Sequence, residues 1–364
     1  MPVPRQGNPY QHELARGLSA HGVEVRMARG YWHVLPFLQQ VLRRNRPDVF
    51  HLHWTQPYLY WPRSGRLSGL LAWRLTFQLR VMRRLGVRIV WTVHNIAAHE
   101  RRELEPELRV SRRIARLCDA LIVHCEAARR LAIEALQLAG PAAERVVVVP
   151  HGHYMAAYPS TVRRSEARQS FGFAGDERVF LLLGALRGYK GTSELIAAVR
   201  RLADPRLRLL IAGKPFTAQL AEEIHAAAAG DERILTRLEF IAEEDIPRFL
   251  RAADCAVVPF RDVLTSGSLV LAMSFGLAVI APRLGCLPET VAPHGALLYD
   301  PADAVGLDTA LEAALAADLA ALGARNREHI GRFDWVRVAD ATIRLAYEPE
   351  GPAAGAPAPA AGSR

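Results

Sequence analysis

Lys190 and Lys214 are the only lysines in a chain of 364 residues that carries 46 lysines and arginines in all. Each stands just past a run that reads as a buried strand: "RVFLLLGAL" leads into "RGYKG", and "LRLLIAG" leads into Lys214. Ligands of parallel α/β sheets bind at that carboxyl edge. A compact ammonium on a flexible stem suits a diphosphate oxygen that shifts during a reaction. Arg187, three residues before Lys190, adds a planar fork that makes paired bonds. A third stretch, Thr265, Ser266, Gly267 and Ser268, follows a strand ending at Phe260 and opens a helix near Leu269. Amides at a helix start, with these hydroxyls, cradle a phosphate; a simple helix cap would use the same residues. No Asp-x-Asp pair is present to hold a divalent metal on a diphosphate. The expected chemistry is therefore release of a diphosphate onto fixed cations and a helix start, each charge-assisted bond contributing about 1.5–3 kcal/mol.

The elements that must position these groups alternate between apolar runs and amphipathic stretches. Residues 48–54, 88–95, 119–125 and 145–152 read as strands in the first half, each an apolar run bounded by polar residues. The second half offers "RVFLLLGAL", "LRLLIAGKP", "RLEFIA", "CAVVPF" and "LAVIAP", with helical stretches such as "TSELIAAVRRLA" and "DIPRFLRAAD" between them. Such alternation predicts two Rossmann-like α/β domains with parallel sheets. The expected boundaries are 1–155 and 156–335, then a closing helix over 336–347 and a disordered Pro/Ala/Gly-rich tail over 348–364. The chain opens on a glycine-containing loop that runs straight into a helix. A Rossmann unit begins with a strand, so the first strand is expected to be missing here.

Charge is unevenly shared. Residues 1–150 hold 23 arginines against 11 acids, while the remainder is close to neutral. A basic first half predicts an anionic surface or substrate facing it, with an anionic membrane among the choices. Zinc-finger, basic-zipper and RNP-type signatures are absent, so no nucleic-acid partner is expected. The four cysteines form no CxxC pair and read as buried, reduced thiols of a cytoplasmic protein. No apolar run reaches membrane-spanning length. The mixed aromatic and basic stretch 58–86 could rest on a membrane face, or pack as an ordinary crossover helix.

Proton transfer needs a base within hydrogen-bond reach of the attacking group. "WTVHNIAAHE" sets His94, Asn95, His99 and Glu100 at and beyond a strand end, and His94 or Glu100 is the candidate base. His53 reads as packing or acceptor-lining, as do Asn95 and His99. His151 and His153, at the crossover between domains, read as sugar contacts. No compact ligand set for a metal is visible.

Together "NPYQHELARGL", "DVFHLHW", "WTVHNIAAHE", "VVPHGHY", "LRGYKG", "LIAGKP", "LTSGSLVLAMSFG" and "FDW" resemble the GT-B nucleotide-sugar glycosyltransferases, broadly those of family 4. Within them the chain is similar to the GDP-mannose:glycolipid β-mannosyltransferases of xanthan-type exopolysaccharide assembly. The resemblance spans about residues 8–347. It implies two domains facing a cleft, a GDP-mannose co-substrate with no further cofactor, and a lipid-linked saccharide acceptor. It also implies inverting transfer beside the inner face of the cytoplasmic membrane. Glu289 matches a recurrent position of the family near the donor. The two glutamates that the broad family sets around the donor sugar fall here on Val263 and Leu271. That departure, with the missing first strand, leaves open a non-catalytic partner subunit that binds nucleotide sugar or glycan; an epimerase of the same architecture is a further alternative.

Overall fold

The computed structural model describes residues 1, 8–28, 35, 37–43, 46–55, 65–96 and 104–348. Two parallel sheets account for the strands among them. The first holds β1 (Val49–Leu52), β2 (Arg88–Thr92), β3 (Ala120–Val123) and β4 (Val146–Val148) in that spatial order. Its central strands are buried, β3 throughout and β2 in all but Arg88, as sheets covered by helices on both faces require. The second sheet is six-stranded, in the order β10-β9-β8-β5-β6-β7. Its strands are β5 (Arg178–Leu183), β6 (Leu207–Ala212), β7 (Ile234–Arg237), β8 (Cys255–Val257), β9 (Ala278–Pro282) and β10 (Ala296–Tyr299).

Seven of the helices among the described residues flank the two sheets and the junction between the halves. In the first domain they are α1 (Tyr10–Ala20), α2 (Gly65–Arg84), α3 (Leu104–Leu117) and α4 (Glu126–Leu136). In the second they are α5 (Thr192–Arg201) and α6 (Gly267–Ser274). The last, α7 (Trp335–Thr342), continues as a π-helical turn over Ile343–Tyr347 and returns to the first domain.

One expected strand is displaced, and one observed strand was not expected. The strand predicted over "RLEFIA" lies earlier, at Ile234–Arg237. Phe240, which gave that run its apolar look, is exposed. β10 is an edge strand of four half-buried residues, too short for its period to stand out in the sequence. The cysteine expectation also fails for one pair. Cys118 and Cys255 are free and buried, but Cys125 and Cys286 form a disulfide between the two domains. Their separation of 161 residues hides the pairing from any local reading. Of the segment 348–364, read as a disordered tail, all but Glu348 lies outside the described residues.

α7 binds the two halves together. Trp335 donates from Nε1 to the His153 carbonyl at 2.6 Å, and the His153 amide donates to the Phe333 carbonyl at 3.0 Å. The indole lies flat against Gly152, where a Cβ would strike the ring. A Cβ on Gly17 would overlap the Trp335 carbonyl, so α1 and α7 approach backbone to backbone. Asp334 caps α7 through the amides of Val336 and Arg337. Trp335→Ala removes the largest side chain at this junction, and the expected loss is about 3–5 kcal/mol of stability, read by urea unfolding.

Candidate active site

β5 and β8 are neighbours, yet the chain continues from β5 towards β6 and β7, and from β8 towards β9 and β10. Strand order reverses between them, which opens a crevice at their carboxyl ends. "RGYKG" leaves β5 there as a tight turn over Gly188–Lys190, closed by Gly191 in a left-handed conformation at φ 67°. A side chain on Gly191 would overlap the Pro259 carbonyl, so this loop presses on the segment that follows β8. The Arg261 amide donates to the Tyr189 carbonyl at 2.8 Å and fixes the same contact.

Lys190 is turned inward by this turn and is buried. No acidic side chain pairs with it among the described residues. A Cβ placed on Gly184 would lie 3.4 Å from Lys190 Nζ and 3.3 Å from Ser268 Oγ, so glycine leaves room for both to converge. Burial, and then the neighbouring Arg187 charge, lower the Lys190 ammonium to about 8. Ser266 caps α6 by accepting from the Leu269 amide at 3.1 Å. Gly267 and Ser268 therefore start the helix and aim their amides outward. Thr265 is half-buried just before the cap.

Lys214 differs from Lys190 in being exposed. Its loop still lies beside the first one, because the Leu186 amide donates to the Lys214 carbonyl at 3.0 Å. The Arg187 guanidinium sits 3.9 Å over the Phe216 ring in that loop. The structure thus gathers Arg187, Lys190 and Ser268 at one crevice, with Lys214 at its rim. Glu289 is placed elsewhere. Its two carboxylate oxygens accept from the amides of Glu126 and Ala127 at the start of α4, at 2.9 and 2.8 Å.

Facing this crevice from the first domain is a row of buried imidazoles at the strand ends: His53 after β1, His94 after β2, His124 after β3 and His151 after β4. His53 Nδ1 and His94 Nε2 are 3.2 Å apart, and the Trp54 ring stacks on His94 at 4.2 Å. Tyr10, from the start of α1, meets His53, His94, His124 and His151 ring to ring. Burial lowers all four imidazoles, His124 to about 4 and His151 to about 3, with His53 and His94 well below the ordinary value. Neighbouring imidazoles lower His53, His94 and His151 further. They are therefore neutral at neutral pH.

The row reaches the second domain through Tyr154, whose hydroxyl lies 3.4 Å from His151 Nε2 and 3.8 Å from a Cβ built on Gly267. Sequence reasoning missed Tyr154, although it follows "PHGH" directly. It also missed Tyr10 and His124, whose roles arise only when the strand ends come together. His153 is half-buried and accepts from the Met155 amide, so it shapes the crossover. Asn95 is half-buried beyond His94. Glu100 and His99 lie outside the described residues. Among the described residues no three His, Cys, Asp or Glu side chains gather as a metal site.

Known proteins carry the same two domains. The family described as Glycosyltransferase Family 4 matches residues 26–154, and that described as Glycosyl transferases group 1 matches residues 163–329. A GDP-mannose:glycolipid 4-beta-D-mannosyltransferase of Xanthomonas campestris pv. campestris is 29% identical over 309 residues, covering 84% of this chain and 80% of that protein. A D-inositol 3-phosphate glycosyltransferase of Geodermatophilus obscurus is 29% identical over 319 residues, 81% of this chain and 65% of its own length. Among solved structures, Anabaena Alr3699/HepE in complex with UDP and glucose superposes with a TM-score of 0.71 at 18% identity, over 95% of this chain and 98% of that one. Sucrose-phosphate synthase from Thermosynechococcus elongatus gives 0.68 at 24% identity, over 86% and 76%. These likenesses give the fold as GT-B.

The state of Lys190 has a measurable consequence. Its folded value of about 8 lies below the unfolded value of 10.5, so the folded ligand-free protein binds this proton less tightly. The resulting cost, about 3 kcal/mol, is fully present below pH 8 and is relieved as pH rises from 8 to 10.5. Lys190→Met is expected to be more stable than the parent at pH 7 by up to that amount, and level with it near pH 10.5. Paired urea titrations at the two pH values check this.

Proposed function

We propose that this chain, a glycosyltransferase whose two halves belong to family 4 and to group 1 of these enzymes, moves a mannosyl group from GDP-mannose to a lipid-linked saccharide. One observation carries the reading: Lys190 holds a buried ammonium, with no acid beside it among the described residues, at the reversal point of the donor-side sheet. A diphosphate is the anion that such a crevice suits, with Arg187 and Ser268 beside the ammonium and the start of α6 adding its amides. The Xanthomonas relative, aligned over 84% of this chain, supports the choice of a mannosyl donor.

The transfer proposed is an inverting displacement. The acceptor hydroxyl attacks the anomeric carbon from the face opposite the diphosphate, and GDP leaves onto Lys190, Arg187 and the helix start. His94 accepts the hydroxyl proton; it is neutral and oriented by His53 and Trp54. Fixed cations take the part of a divalent metal, so the reaction is proposed to be metal-independent. Lys190→Met is expected to lower kcat/KM for GDP-mannose by at least a hundredfold, and excess chelator to leave the parent unchanged. Nucleotide binding without any sugar transfer, across a panel of lipid-linked acceptors, would sink the reading.

A lipid-linked acceptor places the enzyme at a bilayer, and the first domain supplies a face for it. α2 and α3 lie side by side. Leu70 and Trp73 are exposed on α2, the Trp73 ring stacked with Phe77 at 5.3 Å. Exposed arginines accompany them, Arg80 and Arg84 on α2 and Arg113 and Arg116 on α3. No helix among the described residues is long and apolar enough to cross a membrane. Peripheral contact with anionic lipid at the inner face of the cytoplasmic membrane is the proposed arrangement. Each arginine near such a surface contributes about 1 kcal/mol, so Arg80→Ala/Arg84→Ala is expected to lose roughly 30-fold in affinity for phosphatidylglycerol vesicles. Co-sedimentation measures it, with soluble-acceptor turnover as the control for folding.

A further inference from the structure

Away from the crevice, the two domains meet at a second point. Cys125 caps α4 in the first domain, its Sγ accepting from the Ala128 amide at 3.2 Å. Cys286 precedes the short turn Leu287–Thr290 in the second. Their Cα atoms are 5.7 Å apart and their sulfurs are bonded. Three residues past Cys286, Glu289 takes the next two amides of α4, those of Glu126 and Ala127. One helix start therefore receives a covalent bond and two charge-assisted hydrogen bonds from a four-residue segment of the other domain.

That segment is also tied to the donor crevice. The Cys286 amide donates to the Leu264 carbonyl at 2.8 Å, and Gly285 rests on the carbonyls of Val263 and Leu264. Leu264 immediately precedes Thr265–Ser268. Among the described residues, Leu264 and Cys286 are the only second-domain members of a buried cluster otherwise built from Phe37 to Val146. The sulfur pair is thus one backbone hydrogen bond from the loop that opens α6.

We propose that Cys125 and Cys286 form a reversible oxidative modification site that staples the two domains and immobilises the Thr265–Ser268 loop. The oxidant is a low-molecular-weight disulfide. One cysteine, as thiolate, attacks it and releases one small thiol. The other cysteine then displaces the second small thiol and closes the Cys125–Cys286 bond. Two cysteine thiols lose two electrons and two protons, and the small disulfide becomes two thiols. A reducing thiol reverses both steps. In the reduced state Glu289 remains as a non-covalent latch, so the domains part and close. In the oxidised state they stay together, and a cleft that cannot open cannot exchange product for donor. The staple stands apart from the transfer reaction; its effect on turnover rests on the function proposed above.

The test uses the full chain, equilibrated with oxidised or reduced glutathione, then denatured, alkylated and weighed. Two alkyl groups are expected after oxidation, on Cys118 and Cys255, and four after reduction. Four in both would overturn the site. GDP-mannose turnover is then expected to fall at least tenfold on oxidation and recover with dithiothreitol. Cys286→Ser is expected to keep full turnover under both conditions. Equal turnover of the oxidised and reduced parent overturns the control. If the reduced protein transfers no sugar, the proposed reaction fails and small-angle scattering decides the staple. A radius of gyration that rises on reduction supports it, and one unchanged refutes it.

Discussion

A positive charge kept from water is unfavourable unless something negative meets it. Lys190 is such a charge, and the second domain is arranged around it. Gly184 is bare so that the ammonium and the Ser268 hydroxyl converge. Gly191 turns left-handed so that the loop lies against Pro259. Strand order reverses between β5 and β8 so that two loop systems meet over one space. Each arrangement is local, and each would lack a purpose without the others. Folding thus accepts an electrostatic penalty that a bound diphosphate would remove. An apolar residue at position 190 would spare the fold that penalty and leave the crevice without its buried cation.

The first domain meets this site with imidazoles in place of carboxylates. Buried carboxylates so close together would repel and hold protons; buried imidazoles simply stay neutral. Tyr10 fills the space among them and brings α1, and through it α7, against the same strand ends. Tyr154 carries the contact across to Gly267. The imidazole row of one domain and the Lys190 crevice of the other are therefore joined by packed rings.

Much of this was legible in the sequence. Continuous apolar runs gave nine of the ten strands among the described residues, one of them displaced, because fully buried parallel strands write their burial plainly. The pairing of Lys190 with the helix start at Ser268 followed from both lying just past such runs. What escaped depended on distance along the chain. Nothing near Cys125 announces Cys286, and nothing near Tyr10 announces four histidines from four strands. Glu289 matched a position expected beside the donor, yet its oxygens cap a helix of the other domain. Residue type and local pattern cannot tell an acid that faces a ligand from one that faces a helix start; only the docking of the halves separates them.

The chain passes between its halves twice, near residues 153 and 333, and the two passages are bonded to each other through Phe333, Trp335 and His153. Two strands fastened side by side behave like a door hung on one pin. Any turn of one half against the other must run about that line, and a sideways slide would break both bonds.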